Sequence, residues 1–148
     1  MSTLSDQFVA ADSDTIRHLG RVVKALVRVP VVDGATVRVL RRQVGSTRPQ
    51  GLKLALNKGV LDVNGLRAPS VVLWSTTSPD EVTLTVRGDG AKTLEIWNCW
   101  SMGGVDTSWV GNAGIVTKTT ATGMVLRCSD GIGAADFADL EAEIVVER

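Results

Sequence analysis

The sequence predicts an all-β protein: an antiparallel β-sandwich, jelly-roll-like rather than immunoglobulin-like, with one N-terminal amphipathic helix. Three observations carry this expectation. Beyond residue 50, apolar and polar residues alternate with a period of two, as in strands that bury one face. Turn signals interrupt the alternation about every 8–12 residues, the spacing of sandwiches and barrels. No second strong helical pattern falls between the strands, which argues against a doubly wound α/β fold. The immunoglobulin variant is disfavoured because Cys99 and Cys128 do not frame a mid-chain tryptophan and the chain has no tyrosine.

Taken in order, residues 1–12 read as a frayed start. Asp12, Ser13 and Asp14 offer caps for a helix over Thr15–Arg28. In that helix Ile16, Leu19, Val22, Val23, Leu26 and Val27 form one arc, and Arg17, Arg21, Lys24 and Arg28 a basic stripe opposite. Pro30 would end it. The valine content of Val22–Val32 supports a competing strand. A strand over Thr36–Arg42 follows, and the polar Gln43–Gln50 reads as a linker that divides an appendage (residues 1–50) from the sandwich (51–148). In the body, Leu52–Leu56, Val60–Val63, Val82–Val86, Lys92–Trp100, Thr107–Val110, Ile115–Thr119, Met124–Cys128 and Leu140–Glu147 read as strands. Asn64-Gly65 is a hairpin turn. The unbroken apolar run Val71–Trp74 suggests a strand buried on both faces.

A length of 148 residues bounds the chain to one domain, or one with an appendage. Hydrophobic residues at 44% against 22% charged ones make disorder of the whole chain untenable. Sixteen basic and sixteen acidic residues cancel, which argues against a dedicated nucleic-acid binder. The charge is uneven: residues 1–50 hold eight Lys/Arg against four Asp/Glu, and residues 51–148 eight against twelve. Mutual attraction of the two parts, or of neighbouring subunits, is its simplest use. The first residues lack a signal-peptide pattern and no apolar run reaches the roughly 18 residues of a membrane span. The expectation is a cytoplasmic protein that does not engage membranes, its two cysteines reduced.

The stretch Leu94–Asp130 is the candidate site. It holds three of the four tryptophans, both cysteines and the polar residues Asn98, Asn112 and Asp130. On a strand over Lys92–Trp100, Leu94, Ile96, Asn98 and Trp100 point one way and Thr93, Glu95, Trp97 and Cys99 the other. Trp97, Asn98, Trp100, Trp109, Asn112 and Asp130 are therefore the candidate ligand-binding residues. Indoles beside amides and a carboxylate suit a sugar ring, stacking on its apolar face and reading its hydroxyls. The alternative is a core corner or a subunit interface, where tryptophan is enriched.

Catalytic signals are thin. The single histidine, His18, falls in the expected helix, where packing or surface roles are commonest. Nucleophile-elbow, P-loop and dinucleotide motifs are missing. Gly111-Asn112-Ala113-Gly114 lies between strands, so it reads as a tight turn. No zinc or calcium pattern forms around Cys99, Cys128, Asp130, Asp136 and Asp139, and no metal or cofactor is expected. The cysteines read as two buried thiols, a disulfide being the lesser alternative.

With these residues in view, the chain resembles a group of small bacterial proteins of unknown function. The carrying residues are Leu61-Asp62-Val63-Asn64-Gly65, Val71-Val72-Leu73-Trp74, Leu94-Glu95-Ile96-Trp97-Asn98-Cys99-Trp100, Gly111-Asn112-Ala113-Gly114 and Leu126-Arg127-Cys128-Ser129-Asp130-Gly131. The resemblance spans Gly51 to about Glu147, not the first 50 residues, and implies no activity and no catalytic residue. Three functions follow as expectations. The first is a non-enzymatic binding or assembly module, engaging a protein partner or itself as a homo-oligomer. The second is a small-ligand or glycan-binding protein. The third is a toxin-neutralising, immunity-type protein acting through its acidic body. Enzymatic activity ranks below all three.

Overall fold

Alternation of side chains along extended segments builds nearly all of this chain. The structure, a computed structural model, describes residues 2–148. It begins with helix α1 (Leu4–Ala11), then β1 (Thr15–His18), β2 (Arg21–Lys24), β3 (Val27–Pro30), β4 (Thr36–Val44), β5 (Gln50–Leu56), β6 (Val60–Val63) and β7 (Leu66–Ala68). There follow β8 (Ser70–Trp74), β9 (Glu81–Arg87), β10 (Thr93–Met102), β11 (Val105–Thr107), β12 (Gly114–Thr119), β13 (Gly123–Ser129) and β14 (Leu140–Glu147). The pairings are antiparallel. One sheet has nine strands in the order β1-β2-β12-β13-β14-β4-β9-β6-β7. The other runs β11-β10-β5-β8, with β3 also paired to β10. The sheets face one another across a core that includes Val37, Leu54, Leu61, Leu84, Leu94, Ile96, Leu126 and Ile144. The all-β sandwich expected from the sequence is thus present.

The helix is present too, but not where the sequence suggested. Thr15–Arg28 is not helical: it forms β1, β2 and the first half of β3. Leu19 and Gly20 make the β1–β2 turn, both at positive φ (51° and 78°), as tight hairpin turns require. Ile16 is the cross-strand partner of Val23, seven residues on. A seven-residue step also returns to one side of a helix, so the hairpin mimicked an amphipathic arc. The β-branched residues Thr15, Ile16, Val22, Val23, Val27 and Val29 decide for extended chain. The helix lies at Leu4–Ala11, in the stretch that looked frayed. Thr3 starts it through a capping box: its hydroxyl accepts from the Asp6 amide (3.2 Å), and the Asp6 carboxylate accepts from the Thr3 amide (3.0 Å). Asp12, expected to open a helix, closes this one in the left-handed region.

α1 lies on the outer face of the nine-stranded sheet. Leu4, Ile16, Val23 and Phe137 form a second, smaller apolar cluster there, with Phe8 and Val116 against it. Residues 1–50, which the sequence marked as an appendage, supply β1 to β4 and the first residue of β5. β4 lies between β14 and β9. The uneven charge finds its use across that join. Arg28 pairs with Glu95, Arg38 with Glu81 and Glu147, Arg41 with Asp80, Arg42 with Glu143, and Arg48 with Asp130. Six of the twelve acids beyond residue 50 are thereby met by arginines from before it.

β8 differs from expectation. It is an edge strand of the five-stranded sheet, and Val71 to Trp74 are half-buried rather than enclosed on both faces. Its Trp74 lies beside Gly51 on β5, with Cys99 of β10 on the other side. A Cβ at Gly51 would come within 2.8 Å of the Cys99 sulfur and 2.9 Å of the Trp74 ring. The missing side chain is what lets the indole and the thiol close over the strand. Gly51→Ala is therefore expected to cost about 1–3 kcal/mol through overpacking, read as a lowered urea midpoint at unchanged m-value.

Candidate functional site

The strand β10 sorts the sequence-predicted residues by face. Leu94, Ile96, Asn98 and Trp100 point into the sandwich and are at most 2% exposed. Trp97 lies on the outer face, half-buried. The two indoles of β10 do face opposite sides, and the six candidates fall into two groups that do not share one cleft.

The inner group is structural in its contacts. Asp130 is fully buried. Its Oδ2 accepts from Arg48 Nε (3.0 Å), Gln50 Nε2 (3.0 Å) and Ser46 Oγ (3.4 Å). Its Oδ1 accepts from Arg48 Nη2 (3.2 Å) and from the Ile132 amide (3.0 Å). A carboxylate so provided for has no lone pair left for a sugar. Asn98 donates from Nδ2 to the Ser129 carbonyl (2.9 Å), stapling β10 to the end of β13. Trp100 is buried beneath Gly131, where a Cβ would meet its ring at 2.6 Å. Asp139 accepts the Asp130 amide (2.9 Å). Burial pushes the Asp139 carboxyl above its usual range, the nearby Asp130 carboxylate adding to the effect. Asp136 accepts the Ala138 amide (3.1 Å). The acids of this loop thus serve its turns and the arginine.

The outer group builds a groove. Trp109 is 46% exposed and sits in the left-handed region at φ 59°, a rare state for a bulky residue. Its ring stacks on Trp97 with centroids 4.8 Å apart, and its Nε1 donates to the Ala25 carbonyl (3.0 Å). Lys53 lies over the Trp97 ring at 5.7 Å and pairs with Asp106. Trp109 forms one wall of a groove of about 620 Å³, and α1 forms the opposite wall with Phe8 and Val9. Leu26 lies between them, and Ser5, Asp12, Ser13 and Asp14 edge the rim. Asp14 accepts a hydrogen bond from Arg28 (2.7 Å), which holds its carboxyl below the usual range. No ion pair involves Asp12 among the described residues, so its charge is free.

Asn112 couples the two groups. Its Oδ1 accepts from the Leu4 amide at the start of α1 (3.2 Å), and its Nδ2 donates to the Gly133 carbonyl (2.7 Å). The Ser5 amide donates to the Gly111 carbonyl (2.9 Å). Gly111 takes φ 59° where any Cβ would collide with the Gly131 carbonyl. The G-N-A-G turn therefore lies pressed on the S-D-G turn and carries α1 with it.

Sequence reasoning missed Phe8, Val9, Asp12 and Leu26 as site residues, and Arg48 and Gln50 as partners of Asp130. The T-L-S-D capping box was the signal for the helix. Nothing local announces that a loop arginine will meet a carboxylate 82 positions away. The cysteines are free and both buried. Burial pushes the Cys99 thiol up to about 12 and the Cys128 thiol up as well, so neither is a nucleophile at neutral pH.

Two outcomes follow. Asp130→Asn, which leaves the partly exposed Arg48 facing a neutral amide and replaces an acceptor oxygen by a donor, is expected to destabilise the fold by about 1–3 kcal/mol in chemical denaturation. Because the Asp139 carboxyl is raised in the folded state, its contribution to stability falls as pH rises from the unfolded value near 3.8 through the folded one. Asp139→Asn, which keeps an acceptor for the Asp130 amide, should therefore gain on the parent protein as pH increases across that window and show no gain below it. Compared with known proteins, the chain matches no family model, no curated protein and no solved structure.

Proposed function

We propose that this chain is a non-enzymatic, cytoplasmic binding module whose docking element is the groove between α1 and Trp109. One observation carries the reading: a half-exposed indole held at positive φ, hydrogen-bonded to Ala25 and backed by Trp97. Bulky residues in strained backbone states cluster at functional sites. A ring immobilised on its rear face and at its N–H loses little entropy when a ligand covers its front, which is what binding hot spots exploit. Inside the polar rim the remaining lining is apolar, from Phe8, Val9, Ala25, Leu26 and Ala113, which favours an apolar side chain or segment as the occupant. A protein partner or a second copy of the chain supplies such a group. The two buried, unpaired thiols support a reducing compartment.

A glycan is the second reading, favoured by the hydroxyls of Ser5 and Ser13 and the carboxylate of Asp12 along the rim. It rests on those residues and Trp109, since Asn98 and Asp130 are already engaged inside. The toxin-neutralising reading draws on an acidic body, and half of that acidity is met by the chain's own arginines.

Titration with the neutral apolar dye N-phenyl-1-naphthylamine tests the groove. The dye is expected to bind with quenching of tryptophan emission, and Trp109→Ala to weaken binding roughly tenfold or more. No binding, or binding indifferent to Trp109, overturns the reading. A response to simple sugars that Trp109→Ala abolishes would instead select the glycan.

A further inference from the structure

Among the described residues, two bulky side chains combine positive φ with exposure: Trp109 on the groove wall, and Leu19 at the tip of the β1–β2 hairpin. Leu19 is 88% exposed at φ 51°. Both circumstances disfavour leucine there. The left-handed region costs a branched side chain about 1–2 kcal/mol, and exposure returns nothing to the fold. Asparagine or glycine would make the same turn at less cost. A residue that fits neither its backbone nor its solvent has its reason outside its own domain.

We infer that Leu19 is a knob that fills the Trp109–α1 groove of a second copy of this chain, reciprocally across a twofold axis. The inference rests on the groove being a binding site. Four observations support this occupant. The groove is apolar and of a size that accepts an aliphatic side chain. Its rim bears Asp12 and Asp14, whereas the knob is flanked by Arg17 and Arg21, so the charges are complementary. Arg17 and Asp12 take part in no ion pair among the described residues, whereas Asp14 is kept ionised by Arg28 and Arg21 lies over the Phe137 ring. Finally, β1 is the edge of the nine-stranded sheet and, among the described residues, pairs only with β2.

Edge position and hairpin length together set the geometry. The hairpin's base, where the Ala25 amide donates to the Asp14 carbonyl (2.9 Å), borders the groove. Its tip lies five residues further along, about 16 Å away, so Leu19 cannot reach the groove of its own chain. Two β1 edges running antiparallel past one another place the tip of each hairpin beside the base of the other. Leu19 then meets the partner's groove, with Arg17 and Arg21 beside the partner's acidic rim, and the contact occurs twice by symmetry. Pairing also covers an open strand edge, otherwise a template for aggregation.

Sedimentation equilibrium over a wide concentration range is the test. The parent protein is expected to form a dimer. Leu19→Asn suits the turn and so preserves the fold, and it should weaken the dimer roughly tenfold or more. Asp12→Arg and Arg17→Asp should each weaken it, and the double variant should restore it by exchanging the charges. A protein monomeric throughout, or a Leu19→Asn variant that dimerises like the parent, overturns the inference. Dye binding to Leu19→Asn separates the two levels. If the dye binds it in a Trp109-dependent way although the parent protein is monomeric, or although Leu19→Asn dimerises like the parent, the groove stands and only its occupant was misassigned. If the dye does not bind this variant, the groove reading fails as well.

Discussion

The buried carboxylate of Asp130 is the point on which the rest of the structure hangs. It gathers Ser46, Arg48 and Gln50 from the segment entering β5, in the smaller sheet, onto the end of β13, in the larger. Beside it, Asn98 ties β10 to Ser129. The turn that follows Asp130 supports the G-N-A-G turn, and that turn carries Trp109 on one side and the start of α1 on the other. Both walls of the groove therefore descend from one ionic centre. A buried charge is costly unless every lone pair is met. Here five donors meet it, so the expense of burying it is converted into a fixed relation between two sheets, a helix and an indole.

What the sequence disclosed depended on how local the physics was. The hairpin at Asn64-Gly65 was legible because two adjacent residues that tolerate positive φ define it. The final strand Leu140–Glu147 was legible because its alternation is unbroken. Opposite orientation of Trp97 and Trp100 followed from counting alone. The helix was misplaced because Ile16 and Val23 share a side both as partners across a hairpin and as residues seven apart on a helix, and β-branching was the deciding evidence. Leu19-Gly20 carried a turn that leucine conceals, since nothing in a leucine announces positive φ.

The site divided along the same line. Trp97 and Trp109 meet and stay accessible in part, while Trp100, Asn98 and Asp130 are consumed by the interior. Separating them required knowing which residues cross from one sheet to the other, and Arg48 does so from a stretch that composition marks only as a polar connection. Tertiary partners of this kind leave no trace in spacing. The capping box of Thr3 and Asp6 did leave one, and it marks the element that forms half of the groove.

The enclosure of Cys99 has a consequence of its own. Its sulfur is shut in by Trp74 from an edge strand and by the bare backbone of Gly51. Alkylating reagents reach it when that cover opens, so the rate of labelling at Cys99 clocks the excursion. The chain thus carries a built-in stopwatch for breathing at one margin of the smaller sheet, with no foreign label required.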